Sequence, residues 1–464
     1  MHALTLAWHT FLAFFPPDLS PSYLRYVWLP VLQTIGMASA GMLVALCLGI
    51  PLAAYVGTRA PGWQSVVGVL SALRAIPDLT LAILAVVIVG LGPAAGITAL
   101  AVFYTAMVGK VFAELFLAAP QAPLESLRST GAPRLAVAIF GLIPLTLADL
   151  LTFGSYAFEC AMRASVIVGA VGAGGIGTEL VGAVSGLDYP RATTLIVILA
   201  LLVTFVDTLG WFMRKNPRLA LVLFPAGLAT MLLNPPQVFV LRHALVTFAA
   251  MFPPLLDARA LAALPVLLWQ TLEIAVGGTI LALLLAIPLA LCAARNVVHA
   301  VVVAAVRRVL DISRAVPEIV WGLIFVVTAG IGPLAGALAL GIHSAGVLGK
   351  LFAEAFENVA AAPVRALEAT GAKRLAIVAF GIVPLAIGPL AVHTMFRLEW
   401  NVRAATVVGM IGAGGIGEAL YNAQQHMHYQ SMTAYVVATW LLVVLADVAG
   451  ERVRRRLGWN NETT

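Results

Sequence analysis

Ala72 to Leu91 reads ALRAIPDLTLAILAVVIVGL, and Ile312 to Ile331 reads ISRAVPEIVWGLIFVVTAGI. The second stretch repeats the first at an offset of 240 residues, 312 against 72. Working outward, Pro77 answers Pro317, Gly92-Pro93 answers Gly332-Pro333, and Lys110 answers Lys350. The run GAGGIG from Gly172 to Gly177 returns from Gly412 to Gly417. Earlier in each half the offset is 237, as Phe15-Pro16-Pro17 against Phe252-Pro253-Pro254 and Gln33-Thr34 against Gln270-Thr271 show. A small length difference therefore falls between Pro51 and Arg74. Two such copies imply two similar helical bundles facing one another across a pseudo-two-fold axis, a plan that membrane proteins use to build a path.

Composition supports that setting. Of 464 residues, 61% are hydrophobic and 10% charged, and the mean hydropathy is +1.00. A soluble chain could not hide so much apolar surface, whereas a bilayer solvates it. The net charge of +6 would suggest nucleic acid in a soluble protein. Here the basic residues fall between apolar runs, where they set orientation, so no nucleic-acid partner is expected. Cys47, Cys160 and Cys292 lie inside apolar runs and share no repeat register, so they read as small core residues. The segment Met1 to Phe15 lacks the basic start of a cleaved signal peptide, the first positive side chain being Arg25. An interfacial segment is the expectation there.

Apolar runs of about 20 residues can cross a bilayer. The first half offers Leu29–Val56, Leu73–Leu91, Ala95–Leu117, Leu145–Gly169 and Ala192–Met213. The second offers Leu264–Ala293, Ser313–Ile331, Ala335–Ala355, Leu385–Gly409 and Thr433–Ala449. Basic residues recur at matching places: Arg59 with Arg295, Arg128 and Arg134 with Arg365, Lys373 and Arg374, and Arg214-Lys215 with Arg452 to Arg456. Placed on the cytoplasmic side, they make the halves parallel. Five crossings leave a half on the wrong side to begin again, and the run Leu219 to Leu241 supplies the sixth. The expected organisation is a first repeat over 1–218, a linking span over 219–241 and a second repeat over 242–464. This makes an all-α polytopic membrane protein of 5+1+5 transmembrane helices, N-terminus outside and C-terminus inside.

Between the third and fourth spans each half has a charged loop. The first runs from Leu124-Glu125 through Gly131 and Arg134 to Pro144; the second runs from Val364-Arg365 through Glu368, Gly371 and Arg374 to Pro384. Both read as a polar helix, a glycine bend, a short helix and a proline at the membrane edge. The gap from glycine to proline is thirteen residues in both copies, 131 to 144 and 371 to 384. At these residues the chain resembles the permease subunits of ABC importers, and more narrowly the phosphonate permease family. Further matches are Gly109-Lys110-Val-Phe-Ala-Glu114 with Gly349-Lys350-Leu-Phe-Ala-Glu354, and Glu159-Cys-Ala-Met-Arg163 with Glu399-Trp-Asn-Val-Arg403, each leading into GAGGIG. The resemblance covers most of both halves, from Arg74 to Gly210 and from Arg314 to Gly450. It implies a tandem parallel repeat of two type I, methionine- and phosphonate-like permease bundles in a cytoplasmic or inner membrane. It also implies that each loop docks on one of two ATPase subunits, which hold ATP and Mg, and that a separate extracytoplasmic binding protein delivers the ligand. The family's glutamate six residues before the glycine is Glu125 in the first loop but Arg365 in the second, so the two docking loops are unequal.

Charges within the spans are costly and mark a cavity or a partner. Glu159 with Arg163, and Glu399 with Arg403, stand four apart on one helix face with the acid in the favoured N-terminal position. They read either as self-neutralising pairs that anchor packing or as arginines lining an anion path, where guanidinium matches oxyanion oxygens two at a time. Lys110 with Glu114, and Lys350 with Glu354, read as inner-edge ion pairs snorkelling to the headgroups.

Gly172-x-Gly174-x-x-Gly177 and Gly412-x-Gly414-x-x-Gly417 satisfy the dinucleotide fingerprint by letter. They follow a membrane span rather than a strand, and no acid stands about 20 positions on. With Gly175 and Gly415 they read as a glycine stretch that bends backbone or gates a cavity. Neither Gly109-Lys110 nor Gly349-Lys350 has the rest of a P-loop, so no nucleotide or other cofactor site belongs to this chain. His426 and His428, two apart, do not share a helix face and read as surface residues, with no metal site expected. An ATP-driven permease is thus the leading reading, and catalysis by the chain itself is not expected. An ion-gradient-driven anion transporter is the alternative; it leaves the duplicated cytoplasmic loops unexplained. A reporter fused after Gln237 is expected outside the cell and one after Asn216 inside; both in one compartment would remove the linking span.

Overall fold

The computed structural model describes residues 12–215 and 241–456, and every regular element among them is helical. Contacts divide the chain into a unit Ala13–Pro253 and a unit that begins at Pro254. The first contains α1 (Pro21–Gly57), α2 (Trp63–Arg74), α3 (Asp78–Val89), α4 (Pro93–Ala118), α5 (Gln121–Ser129), α6 (Arg134–Ala173), α7 (Gly175–Ser185), α8 (Tyr189–Lys215) and α9 (Leu241–Ala250). The second contains α10 (Ala258–Ala293), α11 (Ala300–Ala315), α12 (Glu318–Ala329), α13 (Pro333–Glu357), α14 (Ala361–Ala369), α15 (Arg374–Ala413), α16 (Gly415–Gln425) and α17 (Tyr429–Arg456). Because α9 packs on α3, the first unit runs on past 242, where the sequence placed the start of the second repeat. The linking span at 219–241 lies outside the described residues, except for Leu241.

Eight of these helices are long and apolar enough to cross a membrane, or ten crossings if each of two bent pairs counts once. Those ten are the five per half read from the sequence, with one difference of shape. The runs Leu73–Leu91 and Ser313–Ile331 are not single helices. Arg74 ends α2 and Asp78 begins α3 after a bend of 88°, and α11 and α12 meet at 87°. Pro77 and Pro317 are the cause. Each sits at the N-cap with ψ near 142° and 150°, and a proline forces the residue before it away from helical backbone. Asp78 and Glu318 then open the new helices, where an acid complements the helix dipole. The length difference between the halves is absorbed just before this bend. The N-caps Gly62 and His299 correspond at an offset of 237, while Arg74 and Arg314 correspond at 240, so three residues are inserted here; α11 also runs one residue further, to Ala315, and has 16 residues against the 12 of α2. That is about one extra helical turn.

Small residues make the bundle interiors. Along α1, Ala38, Gly41, Ala45, Gly49 and Ala53 are buried. A Cβ on Gly41 would lie 2.7 Å from Leu100 Cβ, and one on Gly49 would lie 3.2 Å from the Gly109 amide of α4. The second unit repeats this with Gly278 of α10, 2.8 Å from Leu340 of α13 by the same measure. Without a hydrophobic driving force between helices in lipid, close backbone approach supplies the dispersion that holds them. Large apolar side chains point the other way: Leu201, Phe205, Leu284 and Leu445 are exposed, as a lipid-facing surface requires.

Candidate coupling and translocation sites

The two cytoplasmic-type loops are bent helices of one design. The nine-residue α5 stops at Thr130, whose hydroxyl donates to Leu127 O at 2.7 Å. Gly131 follows in the left-handed region at φ 77°, and its N–H donates to Arg128 O at 3.0 Å. In the second unit α14 ends identically, with Thr370 on Leu367 O at 2.7 Å and Gly371 at φ 75°. Side chains rarely adopt this conformation, so glycine is required at both bends. The elbow is pinned to its own span by Leu124, which is buried against Gly141; a Cβ there would lie 2.8 Å from it. In the second unit the half-buried Leu367 takes this place at Gly381, at 2.9 Å, while the residue matching Leu124 is Val364. Pro144 and Pro384 enter their helices just after π-turns at Ala138–Leu142 and Val378–Ile382. A π-turn shifts the backbone ladder there, and a proline needs no amide partner. Glu125, Arg134, Arg365, Glu368 and Arg374 are all exposed. So are Leu135 and Leu375, at 70% and 80%, which gives each elbow an apolar knob.

At the other end of α6 the glycine stretch reverses the chain. Gly172, Gly174 and Gly175 take φ of 105°, 87° and 75°; Gly412, Gly414 and Gly415 take 108°, 89° and 75°. The helix ends cross so closely that a Cβ on Gly177 would strike Val166 O, and one on Gly417 would strike Thr406 O. The new helix α7 begins with bare amides, and these are met from α1. The Gly175 N–H donates to Gln33 Oε1 at 3.0 Å and the Ile176 N–H to Thr34 Oγ1 at 2.9 Å. Gln270 and Thr271 serve Gly415 and Ile416 at 3.1 and 3.0 Å. A dinucleotide would need such N-terminal amides for its pyrophosphate; here they are engaged. Gln33-Thr34 and Gln270-Thr271 served only as register marks in the sequence, and their capping role becomes visible in the fold.

The intramembrane charges meet partners that the sequence did not single out. Arg163 Nη2 lies 3.5 Å from Asp207 Oδ1 on α8, and Arg403 Nη2 bonds Asp447 Oδ2 on α17. Asp207 and Asp447 are themselves repeat mates, 207 against 447, and Asp207 is the one acid in α8; that was the available signal. Glu159 is buried, in the notch left by Gly210 of α8. Glu399 occupies the matching notch at Gly450 and accepts from Arg454 Nη1, whose guanidinium stacks 4.1 Å from the Phe396 ring centroid. In both units the arginine Nε is buried without a hydrogen-bond partner. One tooth of each guanidinium fork is therefore held by aspartate and the next is unmet, a costly arrangement at low dielectric.

In the half of α13 next to the elbow, Lys350 Nζ lies 3.6 Å from Asp311 Oδ1 rather than pairing with Glu354 on its own helix. Lysine preceding glutamate at four residues is the weaker orientation, so a partner on α11 wins. Glu114 and Glu354 are exposed, and Lys110 is half-buried. Cys47 is exposed rather than in the core, with Cys160 and Cys292 half-buried, all three as free thiols. The second unit also buries a polar chain that the first lacks. Arg397 Nε donates to Ser344 Oγ at 2.8 Å, Ser344 donates to Asn401 Oδ1 at 2.9 Å, and Asn401 donates to Thr279 Oγ1 at 2.9 Å. Beside it His343 lies 3.7 Å from Glu318. The first-half counterparts are Ala157, Tyr104, Ala161, Met42, Phe103 and Asp78, so a residue-by-residue comparison of the halves would have exposed it.

Two membrane bundles, each with a glycine-bent elbow, a glycine reversal and a charged pair in its spans, define a multi-pass transport permease. The chain matches the model of the binding-protein-dependent transport system inner membrane component twice, over residues 45–216 and 286–459. It belongs to that family, the permeases of ABC importers, with both permease repeats in one polypeptide. Among its relatives, the Phosphate-import permease protein PhnE of Mycolicibacterium smegmatis is 31% identical over 450 residues, 92% of this chain and 84% of that one. The Phosphite transport system permease protein PtxC of Stutzerimonas stutzeri is 40% identical over 187 residues, 40% of this chain and 68% of that one. The Putative cryptic phosphonate transport system permease protein PhnE2 of Escherichia coli is 42% identical over 118 residues, 25% of this chain and 97% of that one.

The Arg403–Asp447 pair gives a direct test of the charge geometry. Asp447→Leu leaves a half-buried guanidinium in a span uncompensated and is expected to cost up to about 3 kcal/mol, the low end for a buried pair, whereas Arg403→Met with Asp447→Leu recovers most of it. Thermal unfolding of the purified protein in lipid nanodiscs reads both. A single variant as stable as the parent would contradict the pairing.

Proposed function

We propose that the chain moves phosphonate or a related phosphorus oxyanion inward across the cytoplasmic membrane, by alternating access driven by two copies of a separate ATPase subunit. The observation that carries this reading is the duplicated elbow: a short helix, an obligatory left-handed glycine and an exposed leucine, pinned to the span behind it through Leu124 or Leu367. Such an elbow passes a push on its tip directly into α6 or α15, because the bend is held by internal hydrogen bonds and a packed side chain rather than by a flexible linker. ATP and Mg belong to the partner subunits, and an extracytoplasmic binding protein delivers the ligand. The elbows differ in charge, Glu125 against Arg365, so the two ATPase contacts are not equivalent.

The substrate class rests on the arginines and on what the relatives are named for: phosphate import, phosphite transport and phosphonate transport. Arg163 and Arg403 each present a guanidinium in a span, with one donor unmet. In this reading an oxyanion takes up the fork in the loaded state, and the aspartate holds it otherwise. Glu159 and Glu399, seated in glycine notches, fix the spacing of the spans on which the arginines stand. The glycine reversals form the gate, since their φ values leave that backbone without side-chain bulk.

Leu135→Glu with Leu375→Glu is expected to abolish co-purification of the ATPase while the permease still accumulates in the membrane; undiminished co-purification would remove the elbows from coupling. The substrate path is tested with Arg163→Ala, Asp207→Ala, Arg403→Ala and Asp447→Ala together, which removes both charges of each pair. ATP-dependent phosphonate uptake into vesicles is expected to fall about a hundredfold, the scale of two lost charge-assisted contacts. Normal uptake by that variant would end the arginine path.

A further inference from the structure

The turn joining α7 to α8 and the turn joining α16 to α17 share one backbone and differ in chemistry. Leu187 and Met427 take the left-handed region at φ 58° and 57°, where bulky side chains are uncommon, and both are exposed, at 69% and 71%. The same three amides close each turn. Gly186, Leu187 and Asp188 donate to Gly182, Val184 and Ala183, while His426, Met427 and His428 donate to Asn422, Gln424 and Ala423. The chain ahead of each bundle's first helix is strapped beside the turn. Asp18 N–H donates to Pro190 O at 3.2 Å, and Leu255 N–H to Gln430 O at 3.4 Å. Both units thus hold a strained backbone around an exposed apolar tip.

The first unit lines its turn with charge at positions where the second unit has none. A cleft of about 760 Å³ opens there, lined among others by Tyr23, Tyr26, Glu179, Asp188 and Arg191. Arg191 is already spoken for: its Nε lies 3.4 Å from Asp18 and 3.3 Å from Asp188, and its guanidinium stacks 5.1 Å from the Tyr23 ring centroid. The Ser20 N–H, at 3.0 Å, holds the Asp18 carboxyl below its ordinary range, so Asp18 stays ionised. Glu179 accepts the Tyr26 hydroxyl at 2.8 Å, and no lysine or arginine among the described residues pairs with it. Two carboxylates thus share one guanidinium, and a third, Glu179, lines the same cleft. At the positions of Asp18, Tyr23, Tyr26, Glu179, Asp188 and Arg191 the second unit has Leu255, Ala260, Ala263, Ala419, His428 and Ser431. The strap and turn are duplicated; these three acids are not, and the nearest acids of the second unit, Asp257 and Glu418, stand at other positions.

We infer that this cleft is a socket for a lysine or arginine of the extracytoplasmic binding protein, offered by the first half alone, so that the partner seats on the fused chain in one orientation. The inference rests on the importer reading, which supplies the partner and places these turns outside, at the end of α8 opposite Lys215. Net negative charge selects a basic side chain, the tyrosine rings suit its apolar stem or guanidinium face, and Leu187 gives an adjoining apolar seat. A homodimeric permease must present the same face twice; a fused chain is free to present two. The expected consequence is a docking step that is salt-dependent on one side only.

The test uses the full chain with its ATPase subunits in lipid nanodiscs. The probe is the purified binding protein that stimulates ATP hydrolysis by the parent complex. Glu179→Lys is expected to raise the binding-protein concentration for half-maximal stimulation about tenfold, and to abolish its weakening between about 50 and 300 mM salt. His428→Lys, at the matching turn, is expected to change it less than about twofold, with basal hydrolysis unaltered in both. Glu179→Gln, which keeps a hydrogen-bond acceptor for Tyr26, guards against misfolding and is expected to fall between the two. Stimulation indifferent to Glu179→Lys and Glu179→Gln, or equally sensitive to His428→Lys, overturns the socket. A parent complex that hydrolyses ATP yet responds to no binding protein overturns the importer reading itself.

Discussion

A backbone amide or carbonyl inside a bilayer has no water to fall back on, so each must find a partner within the protein. Most of the distinctive architecture follows from places where the helical ladder is interrupted at membrane depth. The glycine reversals expose fresh helix N-termini, and the chain answers with a glutamine and a threonine from the first long helix of the same bundle. Thr34 and Thr271 can face those amides because each hydroxyl also donates down its own helix, to Pro30 O at 2.9 Å and Leu267 O at 2.8 Å. The Gly92 amide closes on Gly172 O at 3.0 Å, and Gly332 on Gly412 O at 2.9 Å, so the break is tied on both sides. Interruptions so fully met are built-in features of the fold instead of defects.

Around these fixed points the two halves share some features and differ in others. The reversal, the elbow bend and the arginine–aspartate pair are duplicated residue for residue. Elbow charge diverges, with Glu125 against Arg365. So does the buried polar chain of Arg397, Ser344, Asn401 and Thr279, where the first half keeps alanine, tyrosine and methionine. The turns joining α7 to α8 and α16 to α17 diverge most, with Asp188 in one half and His428 in the other. Fusion into one polypeptide relaxes the demand that both copies serve identical surfaces.

Much of this was legible in the residues. The offset of 240 carried the duplication, and hydropathy carried the spans, because burial in lipid demands long apolar runs that leave a direct mark. Gly131 and Gly371 announced the bends, since no other residue takes that backbone cheaply. The bends at Pro77 and Pro317 were less legible: apolarity runs straight through them, and a hydropathy reading follows composition rather than backbone direction. The partners of Arg163 and Arg403 were hidden for a different reason. Spacing of four favours a neighbour on the same helix, while Asp207 and Asp447 stand 44 residues further along the chain, reachable only once the last helix has packed. Lys350 turned to Asp311 for the same cause. Contacts between helices are decided by packing, and packing leaves only a faint trace in any one segment.

The most direct measurement is uptake into proteoliposomes that contain the chain, its binding protein and a phosphonate gradient opposed to entry, with and without the ATPase subunits. Accumulation against the gradient is predicted only when the ATPase and ATP are both present, and no ion gradient should replace them. Uphill uptake by the chain without any nucleotide-hydrolysing subunit would contradict the permease mechanism outright.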